Sequence, residues 1–236
     1  MVSQVRADRI SGKILPLPNS SHVPDFFRRI ALKGWRKSPY FTFSSSYPVF
    51  RRWLVSQLSS RHKSVLSIGC GSGELERDLI RSGREVTGVD ICFEMLQAAR
   101  RRGLKNVALA DALHLPFSDS SFDLVIFPEA IGYFELQEVL PGVACVLKKR
   151  GDLLITAYPT DFASDKIYKN RSVAELTRGL QGTGFEIANQ KLLTVKRSGV
   201  REVAAEARCQ IIYLLGRKQD SNIFPGNALE FRRDFR

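Results

Sequence analysis

The clearest hydrophobic pattern in the chain lies between residues 63 and 90. Residues 65–68 form a short apolar run with β-branched members, bounded by charge and by a glycine, which predicts a buried strand of a parallel sheet. Residues 74–81 repeat their apolar positions at helical spacing, and residues 85–89 predict a second strand. A strand, a glycine loop, a helix and a second strand in this order predict an α/β fold.

Short apolar runs continue to alternate with amphipathic segments along the rest of the chain. Further strands are predicted at 107–110, at 124–127, at 153–157, after Gly184, and at 207–215. Helices are predicted at 91–102, 136–147 and 173–180. We expect Pro141 to break or start the second of these helices, and residues 148–152 to form a turn.

The segment before the glycine loop predicts a helical cover for the domain. Residues 1–24 are polar and contain three prolines, which indicates an extended arm. Asp25 is a candidate N-cap for an amphipathic helix at 26–34, and another helix is predicted at about 49–58. The first helix suits either a membrane surface or one face of its own domain, and the covering role is favoured.

Composition limits the number of domains and the cellular context. With 236 residues and 44% hydrophobic content, the chain suits one α/β domain with an appendage. No apolar run approaches the length of a bilayer span, and the first residues lack the apolar core of a secretory signal, so we expect a cytoplasmic protein. The four cysteines are scattered without a C-x-x-C pair, which favours reduced thiols and no metal site.

The net charge of +12 leaves the class of partner open. A basic protein suits phosphate-rich partners such as nucleic acid, or an anionic lipid surface. The basic residues are spread along the chain, however, and solvated faces explain them equally well.

The glycine loop contains the first candidate binding residues. Gly69, Gly71 and Gly73 allow a turn in which the backbone approaches a ligand. Glu74 stands where a dinucleotide fingerprint has its third glycine, and a carboxylate there opposes a pyrophosphate. The lysine of a P-loop is also missing. Asp90 ends the second strand, where an acid binds ribose hydroxyls, so the pattern predicts a nucleoside ligand without a pyrophosphate.

These motifs resemble those of the class I S-adenosylmethionine-dependent methyltransferases, in particular their type 11-like small-molecule branch. The glycine loop resembles the family's first motif, and the LPF…SFD pattern at 115–123 resembles the loop before its fourth strand. The resemblance implies a Rossmann-like, seven-stranded, mostly parallel sheet flanked by helices, with the last strand antiparallel and an N-terminal helical lid segment. It also implies S-adenosyl-L-methionine as the cofactor.

The resemblance assigns expected cofactor roles to individual residues. Asp90 is expected to accept hydrogen bonds from both ribose hydroxyls, because a charged acceptor makes the stronger bonds. Ile91 and Met95 are expected near the adenine, and Asp111 and Ala112 are expected to read its edge. The full set of expected cofactor-binding residues is Gly69, Cys70, Gly71, Gly73, Asp90, Ile91, Met95, Asp111, Ala112 and Phe127.

One position departs from the family pattern. The family usually has an acid two residues before the first glycine, where it helps to hold the amino group at the methionine end of the cofactor. This chain has Ser67 at that position. A serine hydroxyl supplies no charge, so the departure implies weaker cofactor affinity or compensation by another residue.

Glu129 and Tyr133 follow the fourth strand and are the candidate catalytic residues near the transferred methyl group. Glu129 suits the orientation or deprotonation of an acceptor, or equally the cap of the helix that follows. Four aromatic residues before the first strand suit either a lid over the acceptor or an ordinary core: Tyr40, Phe41, Phe43 and Tyr47.

Three functions remain open on the sequence. The leading hypothesis is methyl transfer from S-adenosylmethionine to a small or lipid-like acceptor, with peripheral membrane contact open. The second is an RNA- or ribosome-associated methyltransferase, and the third is a non-catalytic partner subunit that retains the fold. We expect an N-terminal arm and amphipathic helix at 1–44, a methyltransferase domain at 45–218 and a tail at 219–236.

Overall fold

A computed structural model of the protein describes residues 23–33, 51, 54–158, 168–196 and 208–219. Most of the N-terminal arm, the four aromatic residues at 40–47 and the tail from residue 220 lie outside the described residues. Much of the helix expected at 49–58 also lies outside them, although residues 54–56 are helical.

One seven-stranded sheet forms the centre of the protein, with the strand order β3-β2-β1-β4-β5-β7-β6. Its strands are β1 (Ser64–Ile68), β2 (Glu85–Asp90), β3 (Asn106–Leu109), β4 (Phe122–Pro128), β5 (Leu147–Ala157), β6 (Phe185–Lys196) and β7 (Arg208–Lys218). The first five strands are parallel, whereas β7 runs antiparallel to both β5 and β6. The seven-stranded, mostly parallel sheet with an antiparallel last strand is therefore confirmed.

Helices connect and cover these strands. They are α1 (Val23–Lys33), α2 (Glu74–Arg81), α3 (Phe93–Arg101), α4 (Leu136–Val146) and α5 (Val173–Gly182), with a 3₁₀ helix at Ile131–Tyr133. Among the helices of the described ranges, none combines the length and the apolar character that a membrane span requires.

The position of β1 determines where a ligand can enter. β1 pairs with β2 on one side and with β4 on the other, so the chain order reverses between β1 and β4. A crevice opens at the carboxyl ends of parallel strands where such a reversal occurs. The residues that follow β1, β2 and β4 therefore meet at one edge of the sheet.

Three local predictions are wrong. The first helix begins at Val23, so Asp25 lies in its first turn and is not its cap. Helix α4 continues through Pro141, whose missing N–H would have bonded the carbonyl of solvent-exposed Gln137. The expected turn at 148–152 is part of β5, which absorbs a register shift opposite Phe122 and Leu124.

At the amino ends of the parallel strands, opposite the ligand side, ion pairs stabilise the sheet around a buried carboxylate. Asp152 is 1% exposed and binds Arg61, His62 and Arg217, with the last two at 2.8 and 3.1 Å. Burial alone would raise the pKa of Asp152, but the bonds from these three partners hold it below its usual value. Lys148, the first of three consecutive basic residues at 148–150, pairs with Asp123 at 2.8 Å and so has a structural role.

Helix α1 covers the start of α3. Ile30 packs with Cys92 and Met95, and Phe26 and Phe27 lie against the same group. The ion pair between Arg28 and Glu94, at 3.0 Å, lies at the exposed rim of this contact. The predicted covering role of the N-terminal helix is thus the one that the structure adopts.

Candidate cofactor and acceptor site

The glycine loop folds back over the end of β2. The N–H groups of Gly69 and Cys70 both donate to the carbonyl of Val89, at 2.8 and 3.1 Å. Gly73 ends the loop with φ 77° and is the residue before α2. The loop is therefore attached to the neighbouring strand as well as to its own helix.

Two glycines of the loop have different physical reasons to be glycine. Gly69 has φ 70°, and a Cβ there would lie 2.5 Å from the Cβ of Ala130, which is too close for any side chain. Gly71 has φ 52°, yet a Cβ there would meet nothing within 4 Å. The backbone thus faces open space at Gly71, as a loop that approaches a ligand requires.

Asp90 holds the loop in place through its carboxylate. Its Oδ2 accepts from the N–H of Gly71 at 2.8 Å, and its Oδ1 accepts from the N–H of Cys92 at 2.9 Å. Burial raises the pKa of Asp90 to about 6, although these backbone bonds lower it in part. A carboxylate oriented in this way beside an open loop is suited to accept bonds from ligand hydroxyls.

Glu74 has a structural role that the sequence did not reveal. Its carboxylate pairs with Arg51 at 3.1 Å and with Arg102 at 3.0 Å, and Arg102 also donates to the carbonyl of Ser72. These buried pairs attach the residues before β1 to the start of α2 and the end of α3. The charge of Glu74 is thus neutralised, so its opposition to a pyrophosphate is weaker than the sequence indicated.

Ser67, the departure from the family pattern, has an acidic partner. Its hydroxyl donates to Oε1 of Glu76 at 2.5 Å, and both residues are buried. Burial raises the pKa of Glu76 to about 7, and the nearby charge of Asp90 adds to that shift. The sequence contained a signal for this pair, because Glu76 is an acid on the inner face of the helix after the glycine loop.

The residues expected around the adenine have varied surroundings. Asp111 is half-buried and accepts from the N–H of Leu113 at 3.0 Å, while Ala112 is buried in the core. Ile91 is half-buried beside the acid, and Met95 lies beneath α1. The ring of Phe127 is fully buried in the core, so only its backbone faces the ligand edge.

The thiol of Cys70 is unsuited to nucleophilic chemistry. Burial raises its pKa well above the usual value, and the charges of Asp90 and Glu76 raise it further. Its side chain lies against Gly88 of β2, where a Cβ would be 2.7 Å from the sulfur. Cys70 therefore contributes packing, with its backbone in the loop.

Glu129 stands at the carboxyl end of β4 in a left-handed conformation, with φ 64°. Its N–H donates to the hydroxyl of Thr156 at 2.9 Å, and its carboxylate accepts from the hydroxyl of Tyr158 at 2.5 Å. Burial raises the pKa of Glu129, and the bond from Tyr158 offsets part of the rise. The alternative that Glu129 caps the next helix is wrong, because Glu135 occupies that position.

A group of aromatic rings that pack against one another includes Tyr158, the partner of this acid. Tyr133 packs edge-to-face against Tyr168 at 5.1 Å and against Phe27 of α1 at 5.4 Å, while Tyr158 lies 5.8 Å from Tyr168. Tyr133 follows Glu129 by four residues, but the hydroxyl that bonds the Glu129 carboxylate belongs to Tyr158. Sequence reasoning missed Tyr158, although its place directly after β5 at the same sheet edge was a usable signal.

The acidic side chains beside the glycine loop fit a nucleoside ligand that bears positive charge. Asp90 and Glu76 are acids on either side of the loop, and the basic groups nearest to it, Arg51 and Arg102, are paired with Glu74. Such a site favours hydroxyls and cations over phosphates. S-adenosylmethionine has both ribose hydroxyls and positive charge, and no phosphate.

Comparison with known proteins finds similarity to methyltransferases. Residues 66–155 match the family model described as "Methyltransferase domain". The mouse protein named "Probable tRNA methyltransferase 9B" is 30% identical over 149 residues, which are 61% of this chain and 32% of that protein. The demethylmenaquinone methyltransferase of Tropheryma whipplei is 35% identical over 100 residues, or 41% of this chain and 42% of that enzyme. The chain thus spans less than half the length of these two relatives.

The fold is also that of solved methyltransferase structures. The crystal structure of an S-adenosylmethionine-dependent methyltransferase from Thermotoga maritima superposes with a TM-score of 0.66 and 22% identity, covering 83% of this chain and 99% of that one. The residues matched by the family model include the glycine loop, Asp90 and Glu129. Residues 66–155 thus match a methyltransferase domain in sequence, and the chain has the fold of a solved S-adenosylmethionine-dependent methyltransferase.

Proposed function

We propose that this chain transfers a methyl group from S-adenosylmethionine to a small or lipid-like acceptor by in-line displacement. The observation that carries the proposal is the bond from the N–H of Gly71 to the carboxylate of Asp90 at 2.8 Å. It joins the open glycine loop to the acid at the end of the neighbouring strand, which is the arrangement that holds a nucleoside at the sheet edge.

In this proposal the cofactor lies along the carboxyl ends of β1, β2 and β3. Asp90 accepts from the ribose hydroxyls, and Gly71 allows close approach of the backbone. The adenine lies between Ile91 and the segment of Asp111 and Ala112. The remaining proposed contacts are Gly69, Cys70, Gly73, Met95 and the backbone of Phe127.

The acceptor would lie at the adjacent end of β4. Gly69 and Ala130 are in close contact, so the glycine loop and the Glu129 turn are direct neighbours. Methyl transfer from a sulfonium depends mainly on the proximity and alignment of donor and acceptor. Glu129 would orient the acceptor or remove its proton, with Tyr158 holding the carboxylate, and Tyr133 would form part of the wall.

The surroundings of Glu129 support a small or apolar acceptor. Three aromatic rings, of Phe27, Tyr133 and Tyr168, pack around this edge. The basic residues there are engaged, because Lys169 and Arg171 both pair with Glu135. Among the relatives, one is named for demethylmenaquinone as the molecule that it methylates.

An RNA acceptor is the second candidate, and two observations favour it. The net charge is +12, and several relatives are named as tRNA methyltransferases. In this case RNA affinity would fall steeply with salt, because bound phosphates release counterions. RNA binding that is absent, or that is unaffected by salt, contradicts this candidate.

The test of the cofactor site is calorimetric titration of S-adenosylmethionine and S-adenosylhomocysteine into the wild type and Asp90→Ala. We expect micromolar binding to the wild type and loss of binding in the variant. A screen with radiolabelled methyl donor, first on small molecules and then on RNA, would follow. Cofactor binding without transfer to any acceptor would favour a non-catalytic subunit, and no binding would overturn the proposal.

The organisation of the chain is also a proposal. The segment at 45–218 would form the methyltransferase domain, with the arm and helix of residues 1–44 as its lid. Helix α1 supports this part, because it packs over Cys92 and Met95 next to the predicted ribose acid. The tail at 219–236 would lie outside the domain.

A further inference from the structure

Glu76 presents a buried carboxylate at the end of β1 that the cofactor contacts proposed above do not use. Its side chain is 1% exposed, and Ser67, which donates to it at 2.5 Å, is fully buried. Ser67 is two residues before Gly69, so the carboxylate bonded to it lies near the start of the glycine loop.

Within the described residues, Glu76 has no cationic partner in an ion pair. The basic group whose charge favours ionisation of Glu76 is Arg51, which pairs with Glu74 and Asp78. The other charged group that acts on Glu76 is Asp90, which opposes its ionisation. A buried carboxylate in this position is costly unless a cation neutralises it.

The place of the carboxylate indicates which cation it receives. A serine hydroxyl oxygen occupies the position that the carboxyl carbon of an aspartate would take. Because Oε1 of Glu76 accepts a bond from that hydroxyl, it lies next to the point that a carboxylate on residue 67 would reach. The two side chains together therefore present a charge at the end of β1, although the charge belongs to the helix.

We infer that Glu76 supplies the carboxylate that binds the amino group at the methionine end of the cofactor, and that Ser67 orients it. This inference rests on the proposed function, because it assigns one end of the same ligand. The acid thus stands in the first turn of α2, nine residues after the strand position where the family usually has it.

This arrangement has a specific consequence for an added acid. Ser67→Asp alone would put two carboxylates in one buried site, where like charges oppose ionisation. The reciprocal exchange, Ser67→Asp with Glu76→Ser, would restore a single carboxylate bonded to a hydroxyl. Simple restoration of the family's usual acid is thus expected to fail, whereas the exchange is expected to succeed.

The experiment compares two ligands in calorimetric titrations. S-adenosylhomocysteine contains the amino-acid end, whereas 5′-methylthioadenosine shares the adenosine and the thioether but lacks that end. In Glu76→Gln, which still accepts the Ser67 bond, we expect S-adenosylhomocysteine to bind about 10- to 100-fold more weakly, with little change for methylthioadenosine. The exchange variant should recover most of the lost affinity.

The controls separate this inference from the proposed function. Glu74→Gln changes a buried acid of the same helical turn, and it should affect both ligands equally because it loosens the loop. Equal affinities of wild type and Glu76→Gln for S-adenosylhomocysteine, or equal losses for both ligands, would overturn the role of Glu76 alone. A wild type that binds neither ligand would overturn the proposed function itself. If Glu76→Gln does not fold, the exchange variant decides, since its failure to bind S-adenosylhomocysteine selectively contradicts the inference.

Discussion

The carboxylate of Asp90 and the N–H of Gly71 are joined by a hydrogen bond of 2.8 Å across the tops of two neighbouring strands. The same carboxylate accepts from Cys92, so it is positioned before any ligand arrives. A pre-positioned acceptor loses little freedom on binding, which makes this residue the expected centre of cofactor affinity.

Substitution of Asp90 should therefore abolish tight cofactor binding. We expect Asp90→Asn to weaken the binding of S-adenosylhomocysteine by about 10- to 100-fold, because a neutral amide makes weaker bonds to ribose hydroxyls. The measurement is calorimetric titration. The matched control is Asp123→Asn, an aspartate at the opposite end of the sheet that pairs with Lys148. Equal affinity in wild type and Asp90→Asn would show that the ribose lies elsewhere.

The stability of the ligand-free protein should fall as pH rises through the range 4.5 to 7. The pKa of Glu76 is raised from 4.5 to about 7 in the folded state. The folded protein therefore binds more protons than the unfolded chain in this range, and the free energy of unfolding decreases with pH. Asp90, with its pKa raised to about 6, contributes in the same direction.

Glu76→Gln should remove the larger part of this dependence. At pH 8 the variant should be more stable than the wild type by up to about 3 kcal/mol, since the buried charge is gone. Urea denaturation at pH 5 and pH 8 measures the difference. Glu186→Gln, at an exposed position of β6, is the matched control. A wild type whose stability is the same at both pH values would contradict the raised pKa values.

The two loop glycines should respond differently to an added methyl group. Gly69→Ala combines left-handed strain with a contact of 2.5 Å to Ala130, so we expect a loss of about 2 to 5 kcal/mol in unfolding free energy. Gly71→Ala meets no atom within 4 Å, so only strain of about 1 to 2 kcal/mol remains.

Ala130→Gly should rescue part of the Gly69→Ala defect, because it removes the atom that the new methyl group meets. Denaturant unfolding of the two single variants and the double variant tests this coupling. Additive losses in the double variant would mean that the loop and the Glu129 turn are not in contact.

Tyr158→Phe should change the pH dependence of methyl transfer. The hydroxyl of Tyr158 lowers the pKa of Glu129, so its removal raises that pKa and moves the acid limb of the rate profile to higher pH. Glu129→Gln should lower the rate by about 10² if the carboxylate removes a proton. An unchanged acid limb in Tyr158→Phe, or full activity in Glu129→Gln, would limit this pair to a structural role.

Much of the fold follows from local sequence patterns. The run at 65–68, the glycine loop and the helical spacing at 74–81 correspond to β1, the loop and α2. These elements were predictable because strand burial, glycine conformation and helix amphipathicity are properties of neighbouring residues. Two of the predictions that failed were the break at Pro141, where the helix loses one bond at an exposed residue, and the turn at 148–152, where pairing with β4 outweighed local preference.

The sequence by itself determined the sheet, the loop and the acid at the end of β2, because each is written in a continuous stretch of chain. Only the tertiary structure decided which side chains meet across those stretches. Ser67 receives an acid from α2, Glu129 receives a hydroxyl from the residue after β5, and Glu74 is neutralised by Arg51 and Arg102. Such pairs are separated by 9 to 29 residues, and they depend on how strands and helices pack, which no local pattern records.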